Sequence, residues 1–165
     1  MVTVGRFLAG IGAVIWSPQM GKYLLLKRAA TKDFAPGVWE CVTGRVDQGE
    51  GFEDALHREV REELGITVKV DFILGTTHFH RGAPVPENEL LGLVYHCSAD
   101  DIEAIRTGSE HQAHRWVTFD EALALLGESA SESWLGRVLA LAEALRASLP
   151  PAVVARNRSD GFELG

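Results

Sequence analysis

The chain is poor in cysteine and in long apolar runs, and each shortage excludes a class of protein. It has two cysteines, Cys41 and Cys97, too few for a disulfide framework, and neither has the Cys/His spacing of a zinc site. The apolar run of residues 7–16 is too short to cross a membrane, and we expect a buried first strand there. A signal-peptide core is the alternative, although only Arg6 precedes the run as a charge. We therefore expect a cytoplasmic protein that makes no membrane contact.

Blocks of basic residues are absent as well. The chain has 16 Lys and Arg against 23 Asp and Glu, for a net charge of −7. This balance disfavours non-specific binding to nucleic acid, so we expect no nucleic-acid partner. If such an acidic protein acts on a polyphosphate, metal ions are needed to offset the repulsion.

The hydrophobic pattern predicts one α/β domain over residues 1–149, with a mixed sheet and a flexible tail over residues 150–165. Strands are predicted at residues 7–16, 23–27, 38–42, 67–77, 90–98 and 114–118. Helices are predicted at residues 51–64, 120–126 and 132–149. The apolar face of the third helix suits either core packing or a homodimer contact.

The helix of residues 51–64 carries the chemistry. Glu59, Glu62 and Glu63 fall at i, i+3 and i+4, so they share one face and are close enough to share a divalent cation. On a helical wheel this face lies beside the apolar stripe and away from the water side, which disfavours a merely solvated charge run. Half-buried carboxylates must be protonated, paired or metal-bound, and oxygen ligands without cysteine select Mg²⁺, with Mn²⁺ as a substitute. We expect Arg58 and Glu50 to form an ion pair that ties the preceding loop to the helix.

The whole stretch, GRVDQGEGFEDALHREVREELGI, resembles the Nudix box at every defined position. The matching residues include Gly44, Glu50, Arg58, Glu59, Glu62, Glu63 and Gly65. The resemblance implies the Nudix fold, an α-β-α sandwich around a mixed sheet. It also implies a Mg²⁺-dependent pyrophosphohydrolase that cleaves a phosphoanhydride bond in a small molecule, a nucleoside diphosphate linked to another group.

The resemblance assigns roles residue by residue. Glu59, Glu62 and Glu63 would be the catalytic and metal-binding glutamates, with Glu59 the base by similarity to MutT. The carbonyl of Thr43 and the carboxylate of Glu110 are further metal-ligand candidates.

Substrate contacts are predicted at Arg28, Arg45, His78, His80 and Trp39, with Phe34 as a second aromatic candidate for stacking on a base. Arg28 and Arg45 would contact phosphate.

Short segments around the box look like those of the bacterial dihydroneopterin triphosphate/dATP pyrophosphohydrolases, which favours a nucleoside or pterin triphosphate. The alternatives are an ADP-ribose or nucleotide-sugar hydrolase and a non-catalytic ligand-sensing module. An isopentenyl diphosphate isomerase is disfavoured because Thr43 stands where that enzyme places a cysteine.

Overall fold

The computed structural model describes residues 5–32 and 35–165 of the chain. Its strands are β1 Leu8–Ser17, β2 Lys22–Arg28, β3 Trp39–Glu40, β4 Val42–Arg45, β5 Lys69–His80, β6 Glu89–Ser98 and β7 His111–Val117. Its helices are α1 Phe52–Leu64, α2 Phe119–Leu126, α3 Trp134–Ser148 and α4 Pro151–Asp160, and a 3-10 turn covers Pro86–Asn88.

The strands within these residues form one mixed sheet. Its main path is β3-β2-β1-β6-β5, while β4 pairs with β1 and β7 pairs with β2. Strand β1 runs parallel to β6, and every other pairing is antiparallel. A parallel pair flanked by antiparallel ones is what the predicted mixed sheet requires.

Side chains alternate between two hydrophobic cores, one on each face of the sheet. On β2, Leu24 and Leu26 join the core that α1 covers, whereas Tyr23 and Leu25 join the core that α2 and α3 cover. Helices therefore pack on both faces, which confirms the predicted α-β-α sandwich. The apolar face of α3 packs in the second core of this chain.

Helix α1 begins and ends where its sequence predicts. Gly51 is the N-cap, Glu53 and Asp54 lie in the first turn, and Gly65 ends the helix with φ 70°. Leu56 is fully buried, and burial of such a side chain contributes about 1.5–3 kcal/mol. The buried apolar side of α1 fixes which of its carboxylates turn toward the sheet.

The structure corrects the prediction of a flexible tail over residues 150–165. Helix α4 occupies Pro151–Asp160 and packs on β5. Asn157 Nδ2 donates to the carbonyl of Asp71 at 2.8 Å, and Arg158 Nε donates to Asp71 Oδ1 at 2.6 Å. Because these partners lie more than 80 residues earlier in the chain, no local pattern announces the contact.

Two smaller predictions also change. The expected strand at residues 38–42 is divided at Cys41 into β3 and β4, and β4 continues to Arg45, into the stretch expected to be loop. As for membrane spans, no single helix in residues 5–32 and 35–165 has the length and apolar character to cross a bilayer. Only α3 and α4 taken together have the length and composition of a membrane span, and this pair is bent by 111°.

Candidate active site

A cavity of about 1070 Å³ opens beside α1 and β4 and extends to α3. One end is lined by charged side chains from four elements, α1, β2, β3 and β4, and from three loops. The other end is lined mainly by apolar residues of α2, α3 and the sheet, with Arg137 of α3 among them. The two ends differ enough in chemistry to hold two different parts of one ligand.

Close packing of β4 against α1 requires glycine at Gly44. This residue pairs with Ile11 on β1, and a Cβ added to it would overlap the Glu59 carboxyl group. Glycine therefore lets the strand lie directly on the glutamate, and the preceding residue, Thr43, lines the cavity.

Arg58 joins the loop before α1 to the glutamates of the helix. Its Nε and Nη2 donate to Glu50 at 2.8 and 2.9 Å, so the predicted ion pair is present, and Nη2 also donates to the carbonyl of Arg45 at 2.9 Å. Its Nη1 donates to Glu59 at 2.9 Å and to Glu62 at 3.3 Å. The hydrogen bonds from Arg58 lower the pKa of Glu50 to about 2. Glu50 thus stays ionised and holds Arg58 in place.

The three box glutamates do not share one environment. Glu59 and Glu63 line the cavity, with side chains 15% and 8% exposed. Glu62 turns toward Arg58 on the solvent side and is 61% exposed, so the expectation that it borders the core is wrong. The physical reason is its position one residue before Glu63, which rotates it away from the buried stripe.

Glu63 lies in an unusual electrostatic setting. Burial, together with the charges of Glu59, Glu40 and Glu110, raises its pKa to about 9. Its Oε2 has no hydrogen-bond partner among the described residues, and it faces His111 Nδ1, equally unpartnered there, at 3.9 Å. A buried carboxyl with an unpartnered oxygen has free capacity to bind a cation.

Glu40 and His111 belong to this site and escaped the sequence analysis. Glu40 accepts hydrogen bonds from Arg28 Nη1 at 3.0 Å, and His111 Nε2 lies 2.9 Å from Glu40. These contacts link Arg28 to the buried side of Glu63. The available signal was the two-residue alternation of Glu40 with the buried Val42, which turns both side chains to one face.

Glu110 reaches the same cavity from the loop before β7. It pairs with Lys32 at 2.6 Å, and its side chain is 55% exposed. The hydrogen bond from Lys32 lowers the pKa of Glu110. Glu110 is therefore an ionised carboxylate on the cavity wall, paired with Lys32.

Three arginines, Arg28, Arg45 and Arg81, line the charged end of the cavity. Arg81 is another residue that was not predicted from the sequence. Burial, and then the nearby charges of Arg45 and Arg28, lower its pKa. Cations crowded together in this way form an anion site.

The predicted substrate contacts are only partly brought together. Trp39 and His78 line the cavity. His78 is exposed and lies 2.9 Å from Glu89, and the ring of His80 is 6.0 Å from that of His78, so both histidines face one side as predicted. Phe34 lies outside the described residues.

The apolar end of the cavity was not predicted from the sequence. Trp134, Val138 and Leu141 project from α3, and Leu126 closes the end of α2. Their spacing of three and four residues reads equally well as ordinary core packing, so the sequence analysis did not select them.

The carboxylates of the site fit a hard divalent cation in donor type. Oxygen ligands from Glu59, Glu63 and the Thr43 carbonyl suit Mg²⁺, and the unpartnered Glu63 Oε2 is the donor with the most free capacity. In residues 5–32 and 35–165, no group of three or more His, Cys, Asp or Glu side chains is already arranged to hold a metal ion. Arg58 engages Glu59 and Glu62 in the arrangement present here.

The chain resembles known proteins in both sequence and fold. A sequence model of the NUDIX domain matches residues 6–138. The chain is 36% identical over 106 residues to the CTP pyrophosphohydrolase of Escherichia coli K12, a match covering 62% of this chain and 71% of the relative. It is 32% identical over 104 residues to the nucleoside triphosphatase NudI of E. coli O139:H28, covering 59% of this chain and 73% of that one.

A solved structure supports the same fold. The structure of the E. coli dihydroneopterin triphosphate pyrophosphohydrolase has a TM-score of 0.60 and 24% sequence identity to this chain, covering 83% of this chain and 95% of that one. At this identity the likeness concerns the fold alone.

Proposed function

The chain belongs to the NUDIX domain family and is a hydrolase of phosphorus-containing anhydrides, and on that premise we propose that it hydrolyses nucleoside triphosphates to nucleoside monophosphates and pyrophosphate, with Mg²⁺ as cofactor. The observation that carries the proposal is that one cavity is lined both by a group of charged residues around α1 and by a mainly apolar group on α2 and α3. A nucleoside triphosphate has the same division.

The arginines of the charged end are suited to the triphosphate. Arg45 and Arg81 have no carboxylate partner within hydrogen-bonding distance in the described part of the chain, whereas Arg28 is held by Glu40 at 3.0 Å. Guanidinium groups bind phosphate oxygens through charge-assisted hydrogen bonds. In a chain with net charge −7, this local cluster is what allows a polyanion to approach.

The carboxylates are suited to the metal. We assign its ligands to Glu59 and Glu63, with Glu62, which is exposed and paired with Arg58 here, Glu110 and the Thr43 carbonyl as further ligands. When bound, a divalent cation neutralises negative charge that develops on the phosphoryl oxygens. Mn²⁺ is expected to substitute because it accepts the same oxygen donors.

Glu59 is our candidate for the general base. Burial raises its pKa, while the hydrogen bond from Arg58 opposes that rise and fixes one of its oxygens. A water molecule forms the new bond to the α-phosphorus, its proton passes to Glu59, and the bond from that phosphorus to the bridging oxygen breaks. Pyrophosphate leaves. Such a base contributes on the order of 10²–10⁴-fold to the rate.

The apolar end is suited to the nucleoside. Trp134, Val138 and Leu141 offer a flat aromatic ring and two aliphatic side chains to a planar base. The CTP pyrophosphohydrolase relative makes CTP the first nucleotide to try.

We further propose a reducing, cytoplasmic location and no nucleic-acid partner. Cys41 and Cys97 are buried free thiols, and the charge balance disfavours polyanions other than those that fit the cavity. The face of α3 that suggested a homodimer packs in the core of this chain. The homodimer stays a prediction, and light scattering would test it.

A substrate panel with Mg²⁺ tests the proposed function. The panel contains CTP and the other nucleoside triphosphates, ADP-ribose, a nucleotide sugar, a dinucleoside polyphosphate and dihydroneopterin triphosphate. We expect a nucleoside triphosphate to have the highest kcat/KM, by about 10–100-fold over ADP-ribose. A preference for ADP-ribose, the nucleotide sugar or the pterin would overturn the substrate class, and turnover of none of them would overturn the proposal.

A further inference from the structure

Helix α1 receives its N-terminal cap from the far end of the chain. Its own N-cap, Gly51, has no side chain with which to make a cap hydrogen bond. Instead, Glu163 Oε1 accepts a hydrogen bond from the backbone N–H of Glu53 at 3.0 Å, across 110 residues of sequence. A carboxylate in this place satisfies a free helix N–H and lies at the positive end of the helix dipole.

The contact runs in both directions. While Glu163 accepts from the backbone of Glu53, the Glu53 side chain accepts from the backbone N–H of Phe162 at 2.9 Å. Helix α2 shows the ordinary local form of this reciprocity, with Thr118 and Glu121 as the two partners. In α1 the same two-way cap joins residues that lie about 110 positions apart in the sequence.

Two glycines make the arrangement sterically feasible. A Cβ added at Gly51 would overlap the Glu163 carboxyl group. Gly161 has φ 72°, a left-handed conformation that turns residues 162 and 163 back toward α1. The missing side chain at the N-cap is therefore the space that the distant carboxylate fills.

Neighbouring contacts hold this segment in place. Asn157 and Arg158 bind Asp71 on β5, and the ring of Phe162 packs 5.9 Å from that of Tyr95. All of these residues except Asp71 and Tyr95 lie beyond residue 138, where the NUDIX domain match ends. The residues that cap α1 therefore come from outside the part of the chain that the NUDIX domain model matches.

The capped turn adjoins the loop that positions the site. Gly51 follows Glu50 directly, Glu50 holds Arg58, and Arg58 holds Glu59. If the first turn of α1 frays, the loop end that carries Glu50 loses its fixed attachment to the helix. We propose that Glu163 is a positioning residue, which fixes the start of α1 and, through Glu50 and Arg58, the orientation of Glu59.

Amide exchange tests the contact itself, without reference to activity. In Glu163→Ala we expect the amide of Glu53 to exchange about tenfold faster, the size of effect that loss of a helix cap produces. Glu163→Gln keeps an acceptor oxygen, so its Glu53 amide should exchange at a rate between those of the wild type and Glu163→Ala. Leu164→Ala, at a fully exposed neighbour, should match the wild type. Unchanged exchange at Glu53 in Glu163→Ala would overturn the proposal.

A double-mutant cycle tests the role of Gly51. Gly51→Ala should displace the Glu163 carboxylate and mimic Glu163→Ala, so the two changes together should cost little more than either alone. Full additivity of their effects on Glu53 exchange would contradict a shared contact.

Kinetics then test the positioning role, which rests on the proposed function. Glu163→Ala should lower kcat several-fold with KM unchanged, whereas Thr118→Ala removes the cap of α2 and should lower Tm by a similar amount without lowering kcat. Equal kcat values in these two variants would reduce Glu163 to a structural residue. Faster exchange at Glu53 in Glu163→Ala, with wild-type protein that hydrolyses nothing, would refute the proposed function and leave the distant cap standing.

Discussion

Glu63 is a carboxyl group that folding buries beside Glu59, Glu40 and Glu110, and one of its oxygens has no hydrogen-bond partner in the described residues. With its pKa raised to about 9, the carboxyl group favours the protonated form at neutral pH when no cation is bound. Glu62 is different, since it lies in solvent and is paired with Arg58. The two adjacent glutamates should therefore respond differently to the same substitution.

We predict that Glu63→Gln lowers Mg²⁺-dependent turnover at least about 100-fold, more than loss of a residue that only supports a metal ligand. Because glutamine has nearly the same shape and the carboxyl is protonated without metal, Tm should change little. Glu62→Gln should cost clearly less turnover. Steady-state kinetics and thermal unfolding of both variants check this, and an equal or larger loss in Glu62→Gln would contradict it.

Arg81 is predicted to bind the triphosphate. A hydrogen bond to a charged group contributes about 1.5–3 kcal/mol, so Arg81→Ala should raise KM for the triphosphate about 10–100-fold. Arg61, exposed on the last turn of α1, is the matched control, and Arg61→Ala should leave KM unchanged. If both variants bind the substrate equally well, Arg81 does not contact phosphate.

At the scale of elements, the sequence predicted what local patterning controls. The start and end of α1 follow from Gly51, two acidic residues in the first turn and Gly65, and the structure has them there. The Glu50–Arg58 pair also follows, because both residues lie within one loop-helix unit. These features depend on neighbours within about one or two helical turns.

Features that depend on distant partners escaped prediction. Helix α4 is weakly amphipathic, with no buried residue, and contacts with Asp71 hold it on β5. Glu40 of β3 and Arg81 of the loop after β5 line one cavity, and His111 of β7 contacts Glu40; only the sheet topology brings these residues together. Local patterns in a single sequence do not show which residues from distant parts of the chain lie close together.

The attachment of α4 should weaken in acid. Burial alone would raise the pKa of Asp71, but hydrogen bonds from His96, Ser98 and Arg158 lower it below its ordinary value. The stability that this group contributes is therefore present above its unfolded pKa of about 4 and is lost as pH falls through the lower folded value. Arg158→Gln should lower Tm at pH 7, and the difference from wild type should shrink below about pH 4.

Thermal unfolding from pH 7 to pH 3 measures this difference. A control variant, Arg156→Gln, removes an exposed i,i+4 pair of α4 with Asp160 and should change Tm little at any pH. A Tm difference for Arg158→Gln that grows as pH falls would show that the Asp71 contact has the opposite linkage.

The whole molecule is an acidic three-layer domain with a cavity that joins two chemistries. Its sheet separates two cores, α1 presents carboxylates from one side, and α3 presents apolar side chains at the far end of the same cavity. Although the net charge of the chain is −7, Arg28, Arg45 and Arg81 place three positive charges along the wall of this cavity. This combination of charges and apolar side chains is the basis for the proposed nucleoside triphosphate substrate.

The most direct test is ³¹P nuclear magnetic resonance of CTP turnover, because it identifies both the bond that breaks and the need for metal. With Mg²⁺ and wild-type protein, we predict that the CTP signals are replaced by those of CMP and pyrophosphate. The change should stop when EDTA is added, and Glu63→Gln should not produce it. Release of orthophosphate with CDP, or formation of pyrophosphate that persists in EDTA or in Glu63→Gln, would contradict the proposed site and reaction.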